Sequence, residues 1–170
     1  MLARDLKPNR LAALKKVAAD FITKRETDRI GLVVYAGESY TKTPITSDKA
    51  LVIDVLNKVS YDGVINDGTA IGMGLATAVN RLRESKSKSK VIILLTDGVN
   101  NTGFVDPKTA AGLASTYGIK TYTIGLGSNG SAPAPVALRQ DGTFVYQLRK
   151  VEIDEGLLKA IAAETGGSYY

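Results

Sequence analysis

Two residues of this chain have the type and placement to do coordination chemistry: Thr69, closing the loop YDGVINDGT, and Asp97, closing VIILLTD. A hydroxyl and a carboxylate are hard oxygen donors, the kind that Mg²⁺ and Mn²⁺ prefer, with Ca²⁺ as a further candidate. Mg²⁺ keeps several of its waters, so it needs few protein ligands. In open parallel sheets ligands gather outside the carboxyl ends of the strands, and Asp97 ends an apolar run of five residues. Thr69 is expected as the N-cap or first residue of a helix, its hydroxyl free either to cap or to bind. Asp62, Asp67, Gly98 and Asn100 are the candidate rim of such a site. The bland alternatives are turns at Asp62-Gly63, Asp67-Gly68 and Asp97-Gly98, with Asn100 and Asn101 supporting the loop.

Composition removes other chemistries. The chain has 170 residues with no Cys and no His, so thiol chemistry, zinc sites of the usual kind and Ser-His-Asp or Cys-His catalysis have nothing to work with. No phosphate-binding G-x-x-x-x-G-K-[ST] or dinucleotide G-x-G-x-x-G pattern is present. The enzyme reading left open is a Mg²⁺-dependent hydrolase or phosphoryl-transfer domain using Asp97 as nucleophile or ligand. The net charge of +5 is mild and the aromatics are scattered without Trp, which speaks against nucleic acid as partner. No stretch approaches the roughly 20 apolar residues of a membrane span. Met1-Leu2-Ala3 runs straight into charged residues, unlike a signal peptide.

Helices and strands must alternate to place Thr69 and Asp97. Apolar residues at 3–4 spacing predict helices over NRLAALKKVAADFITKR, SDKALVIDVLNKV (Ser47 as N-cap), TAIGMGLATAVNRLRES, DPKTAAGLASTYG (Asp106 cap, Pro107 at N1) and DEGLLKAIAAETGG (Asp154 cap). RIGLVVYAG (29–37), KVIILLTDG (90–98) and IKTYTIGLG (119–127) predict strands, the first two continuous enough for parallel strands covered on both faces. SYTKTPIT (39–46), with Pro44 and polar alternation, predicts an antiparallel edge strand. Within 130–154 a proline-spaced loop is expected to lead into a short hairpin, VALR and TFVYQL, around Gln140-Asp141-Gly142. The expected fold is a single α/β domain over 1–170: a Rossmann-like three-layer sandwich with a mostly parallel sheet, one antiparallel edge strand, helices on both faces and a hairpin insertion at about 130–150.

The segments KPNRLAALKKVAADFI, DRIGLVVYAG, DGTAIGMGLATAVNRL, VIILLTDGVNNTG, GIKTYTIGLG and LLKAIAAETGGSYY together resemble the von Willebrand factor A domain, in its bacterial aerotolerance-operon, BatA-like branch. The resemblance implies a metal-ion-dependent adhesion site (MIDAS) built from Asp-x-Ser-x-Ser at the end of a first strand, then a Thr, then an Asp. Thr69 and Asp97 match the last two. The first part has no counterpart, and Met1 aligns just past its final Ser; the expectation is a domain lacking its N-terminal central strand and part of its last strand. Cation binding by Thr69 and Asp97 alone is then expected to be weak or absent.

The resemblance further implies a protein–protein interaction module, without catalysis, in which a partner's carboxylate completes the cation's shell and loops 61–68 and 98–105 select the partner. It implies partners among sister envelope proteins of the same operon. The full-length protein would sit in the cell inner membrane with this domain facing the periplasm, attached through segments outside this chain. The alternative is a metal-free scaffold in an envelope complex. Strands 29–37 and 90–97, left without a strand between them, would expose edges that favour an edge-paired or swapped homodimer.

Overall fold

The computed structural model describes residues 1–61, 67–127 and 129–170. Helix α1 spans Arg10–Thr23, followed by β1 (Ile30–Tyr35), β2 (Ser39–Thr46), α2 (Lys49–Asn57), α3 (Ile71–Leu82) and β3 (Lys90–Thr96). After these come α4 (Pro107–Thr116), β4 (Ile119–Gly125), β5 (Gly130–Leu138), β6 (Phe144–Val151) and α5 (Glu155–Glu164).

Four of these helices start on a side chain that accepts a backbone N–H otherwise left free by the first turn. Asn9 accepts from Ala12, Asp106 from Thr109 and Asp154 from Leu157. For α2 the cap is Asp48, accepting from Leu51 at 2.9 Å, in place of the expected Ser47. The carboxylate one residue later reaches the third helical N–H, and Thr46 Oγ1 fixes the turn by accepting from Asp48 N. Helix α3 has Ala70 at its N-cap and no cap of its own.

The apolar runs form ladders in pairs. β1 and β2 are antiparallel, with irregular register between Ile30 and Val33, so SYTKTPIT is the antiparallel strand expected. β3 and β4 are parallel from Lys90↔Ile119 to Thr96↔Gly125. Tyr169 adds a parallel bridge on the far side of β4, at Thr123. The sheet is not one continuous ladder, because β1 and β3 do not pair. They are tied by a side chain instead: the Tyr35 hydroxyl donates to the Leu95 carbonyl at 2.8 Å.

The hairpin is longer than the sequence predicts. The stretch expected as a proline-spaced loop belongs to β5, which pairs with β6 from Gly130↔Val151 to Leu138↔Phe144. Prolines survive in it because the pair has only two strands, so a residue without an N–H can face away from the ladder. The Pro133 carbonyl accepts from Arg4 N, tying the hairpin to the start of the chain.

Helices cover both faces. Ile71, Leu75 and Val79 of α3 pack with Ile92, Leu94, Ala110, Ala114, Leu158 and Ile161 in one buried cluster, which unites α3, α4 and α5 on one side of β3–β4. A smaller cluster of Ile22, Val52 and Leu56 joins α1 and α2 to Ile30 and Leu32 of β1. The expectation that β1 and β3 are covered on both faces holds only in part. Ile92 and Leu94 are buried, whereas Ile93, Leu95 and every residue of β1 except the exposed Gly31 are half-buried. The second helical layer is the thinner one: of α1's apolar stripe only Ile22 is buried, while Val17 and Phe21 stay exposed.

Candidate cation site at the end of strand β3

Strand β3 delivers Asp97 to the sheet edge, and the chain then turns through Gly98 toward α3. Thr69 lies against that turn. A methyl group added at Gly98 would stand 3.3 Å from the Thr69 hydroxyl oxygen, so the absence of a side chain there lets the two segments meet. The Thr69 backbone is fully engaged by Asn101: Thr69 N–H donates to Asn101 Oδ1 at 2.9 Å, and Asn101 N–H donates to the Thr69 carbonyl at 3.2 Å. Thr69, which the sequence predicts as the N-cap or first residue of α3, stands one residue before the N-cap Ala70, and its hydroxyl does not cap the helix. Asn100 does so from across the loop, its Oδ1 accepting from Ile71 N at 2.8 Å. The start of α3 is also fastened to β1, through Ala70 N donating to the Ala36 carbonyl at 2.7 Å.

Asp97 is held by a residue that no motif marks. Arg10, only 1% exposed, donates from Nη1 to the Asp97 carbonyl oxygen at 2.7 Å and lies 3.6 Å from Asp97 Oδ2. Asp5 grips the same guanidinium with both oxygens, each at 2.8 Å. The guanidinium rests on Gly127, where an added Cβ would come within 2.3 Å of it. Hydrogen bonding to Asp5, together with the charges of Asp5 and Asp97, raises the Arg10 pKa above its ordinary value. The Met1 backbone nitrogen also contacts Asp97 Oδ2. Beneath Asp97, burial pushes the Tyr35 phenol well above its ordinary value, and the nearby Asp97 charge adds to the effect.

The other candidates divide. Gly98 is at the junction just described, and Asn100 serves the helix start. Asp67 is exposed and turns inward on its own loop, its Oδ1 accepting from Gly68 N at 2.9 Å, as a turn residue does. Asp62 lies outside the described residues. Among the described residues no group of three or more His, Cys, Asp or Glu could hold a metal ion. The donors present fit a hard cation in kind, a hydroxyl and a carboxylate, but in number they fit only one that keeps most of its water. Arg10 and Asp5 carry no signal in the sequence beyond a charged run, since Arg10 meets Asp97 across 87 residues.

The sequence profile of the von Willebrand factor type A domain matches residues 3–166. The chain belongs to that family. An uncharacterized protein of Borreliella burgdorferi is 33% identical over 162 residues, which is 95% of this chain and 47% of that protein. Two solved structures are similar at 30% identity, each over 99% of this chain. One is an aerotolerance-related membrane protein from Bacteroides fragilis, with a TM-score of 0.82 over 84% of its chain. The other is BatB from Bacteroides thetaiotaomicron, with a TM-score of 0.83 over 82% of its chain. The VWA chain thus resembles the aerotolerance branch, and its α/β fold is the family's Rossmann-like sandwich. It spans about half the length of the curated relatives it matches. VWA domains are protein-interaction modules, generally without enzymatic activity, and they commonly bind a divalent cation at the MIDAS.

Proposed function

We propose that this VWA domain is an adhesion-type module that binds a partner protein through a divalent cation, Mg²⁺ or Mn²⁺, shared by Thr69 and Asp97. The observation that carries the reading is the meeting of Thr69 with the Asp97–Gly98 turn, its hydroxyl turned to Gly98 while Asn101 takes its backbone groups. A cation there would have one anionic protein ligand and mostly water. A carboxylate of the partner would then supply the second negative charge, so cation and partner would bind cooperatively. The rim loop 98–105 would choose the partner; it carries Phe104, 89% exposed, and is pinned at Asn100 and Asn101. Partners encoded beside this protein in the same operon, and attachment to a membrane through other parts of the full-length protein, extend the same reading. Among the described residues no helix is long and apolar enough to cross a membrane.

A second reading, a metal-free scaffold, is favoured by one observation: Asp97 already has a cationic neighbour in Arg10. Calorimetric titration of Mg²⁺ and Mn²⁺ into the chain separates the two. Weak binding that becomes saturable only when acetate is added as a carboxylate ligand is expected, and Asp97→Ala should abolish it while Thr69→Ala weakens it. If neither ion gives a saturable signal, with or without added acetate as a carboxylate ligand, the cation bridge is wrong and the scaffold stands.

A further inference from the structure

We propose that Arg10 is the positioning residue of the cation site, which Asp5 locks in place; the proposal rests on the cation-bridging reading above. Three features of Arg10 go beyond what a structural ion pair needs. Its guanidinium is buried to 1% exposure at the edge where a polar ligand is to bind, beside a carboxylate assigned to that ligand. It engages two parts of Asp97 at once, donating to the main-chain carbonyl at 2.7 Å and facing Oδ2 at 3.6 Å. It is itself immobilised, by the two-point grip of Asp5 and by the seat that Gly127 leaves open. A planar guanidinium held this way fixes a direction as well as a charge, which a lysine does not. It holds the chain one residue past β3, at the Asp97 carbonyl, and faces the carboxylate oxygen that Met1 also contacts, so that Asp97 meets a cation in one orientation.

Arg10 engages both Asp5 oxygens, so the proposed site counts Asp97 as its anionic ligand. Asp5 and Arg10 offset each other, and the charges left at the edge are those of Asp97 and of the Met1 ammonium that contacts it.

Positioning and electrostatics give opposite signs. Removing a positive charge 3.6 Å from Asp97 would by Coulomb's law alone strengthen cation binding. Loss of an orienting partner weakens metal affinity by about 10- to 100-fold in known metal sites.

The experiment uses the 170-residue chain and two NMR readouts. Three-bond couplings report the Asp97 χ1 rotamer without any metal, and Mn²⁺ broadening of the Thr69 and Gly98 amide signals reports cation affinity at millimolar concentrations. The wild type is expected to show one Asp97 rotamer. Arg10→Gln is expected to average it and to raise the Mn²⁺ concentration for half-maximal broadening about tenfold. A single rotamer in Arg10→Gln overturns the proposal, and so does unchanged or tighter Mn²⁺ binding. Rotamer averaging in Arg10→Gln, with no broadening at Thr69 and Gly98 even in the wild type, sinks the cation reading but leaves Arg10 as the residue that orients Asp97. Should Arg10→Gln fail to fold, Asp5→Asn is used in its place. It keeps the guanidinium but weakens its lock, and an unaltered Asp97 rotamer in that variant overturns the proposal equally.

Discussion

The Tyr35 hydroxyl donates to the Leu95 carbonyl at 2.8 Å, and this side-chain bond joins two strands, β1 and β3, that share no ladder. The ring lies against Gly74 of α3, where an added Cβ would come within 2.6 Å of it. One phenol thus ties strands of two ladders, β1–β2 and β3–β4, to the helix that starts beside Thr69.

Tyr35→Phe keeps the ring and deletes the bond, so it should destabilise the domain by about 1 kcal/mol at neutral pH, read from urea unfolding. The pH dependence carries a sign. Burial raises the phenol's pKa in the folded state above its ordinary 10. Stability from this group is therefore full below pH 10 and falls as the unfolded phenol ionises above it. The wild type should lose stability above pH 10 more steeply than Tyr35→Phe, and equal slopes would remove Tyr35 as the cause.

Asn100 caps α3 from another part of the chain. Asn100→Ala should cost about 1–2 kcal/mol, as loss of an N-cap does, because the Ile71 N–H loses its partner. Asn101→Ala should loosen Thr69 in addition. Amide hydrogen exchange at Thr69 and Ile71 checks both: protection is expected to fall at Ile71 in the first variant and at Thr69 in the second.

Gly127 has φ +112°, and a Cβ there would lie 2.3 Å from the Arg10 guanidinium carbon. Gly127→Ala meets strain from both causes and should cost at least about 2 kcal/mol. If instead its melting temperature matches the wild type, Arg10 is not seated as described.

Phe104 is 89% exposed on a loop whose neighbours are pinned. Phe104→Ser should change stability by no more than about 0.5 kcal/mol, since it removes almost no packing. A rigid exposed aromatic is suited to anchor a partner. The same variant should therefore lower any self- or partner association seen by sedimentation, and a large drop in its own stability would show that Phe104 is packed.

Legibility in the sequence depends on the range of the interactions involved. The caps Asp106 and Asp154 are legible because each meets an N–H three residues away. The cap of α3 is not, since Asn100 comes from 29 residues downstream. Pro44 and polar alternation mark β2 as an edge strand, whereas only the VALR end of β5 reads as strand and its start reads as a loop, because Pro133 and Pro135 mark loops unless a partner strand lies on one side only. Thr69 and Asp97 stand out by residue type and by resemblance. That Asp67 closes on its own turn is one of two readings the Asp67-Gly68 pair allows, and the structure chooses between them.

The sequence by itself determined the order of helices and strands, the α/β class and the family, and singled out the two candidate oxygen donors, because each rests on short-range periodicity or on a continuous motif. Only the tertiary structure decided which groups meet at the edge of β3. Arg10 reaches Asp97, Asn101 takes the Thr69 backbone, and Tyr35 crosses to Leu95. Those contacts join residues 32 to 87 positions apart, and their distances are set by how the helices pack on the sheet.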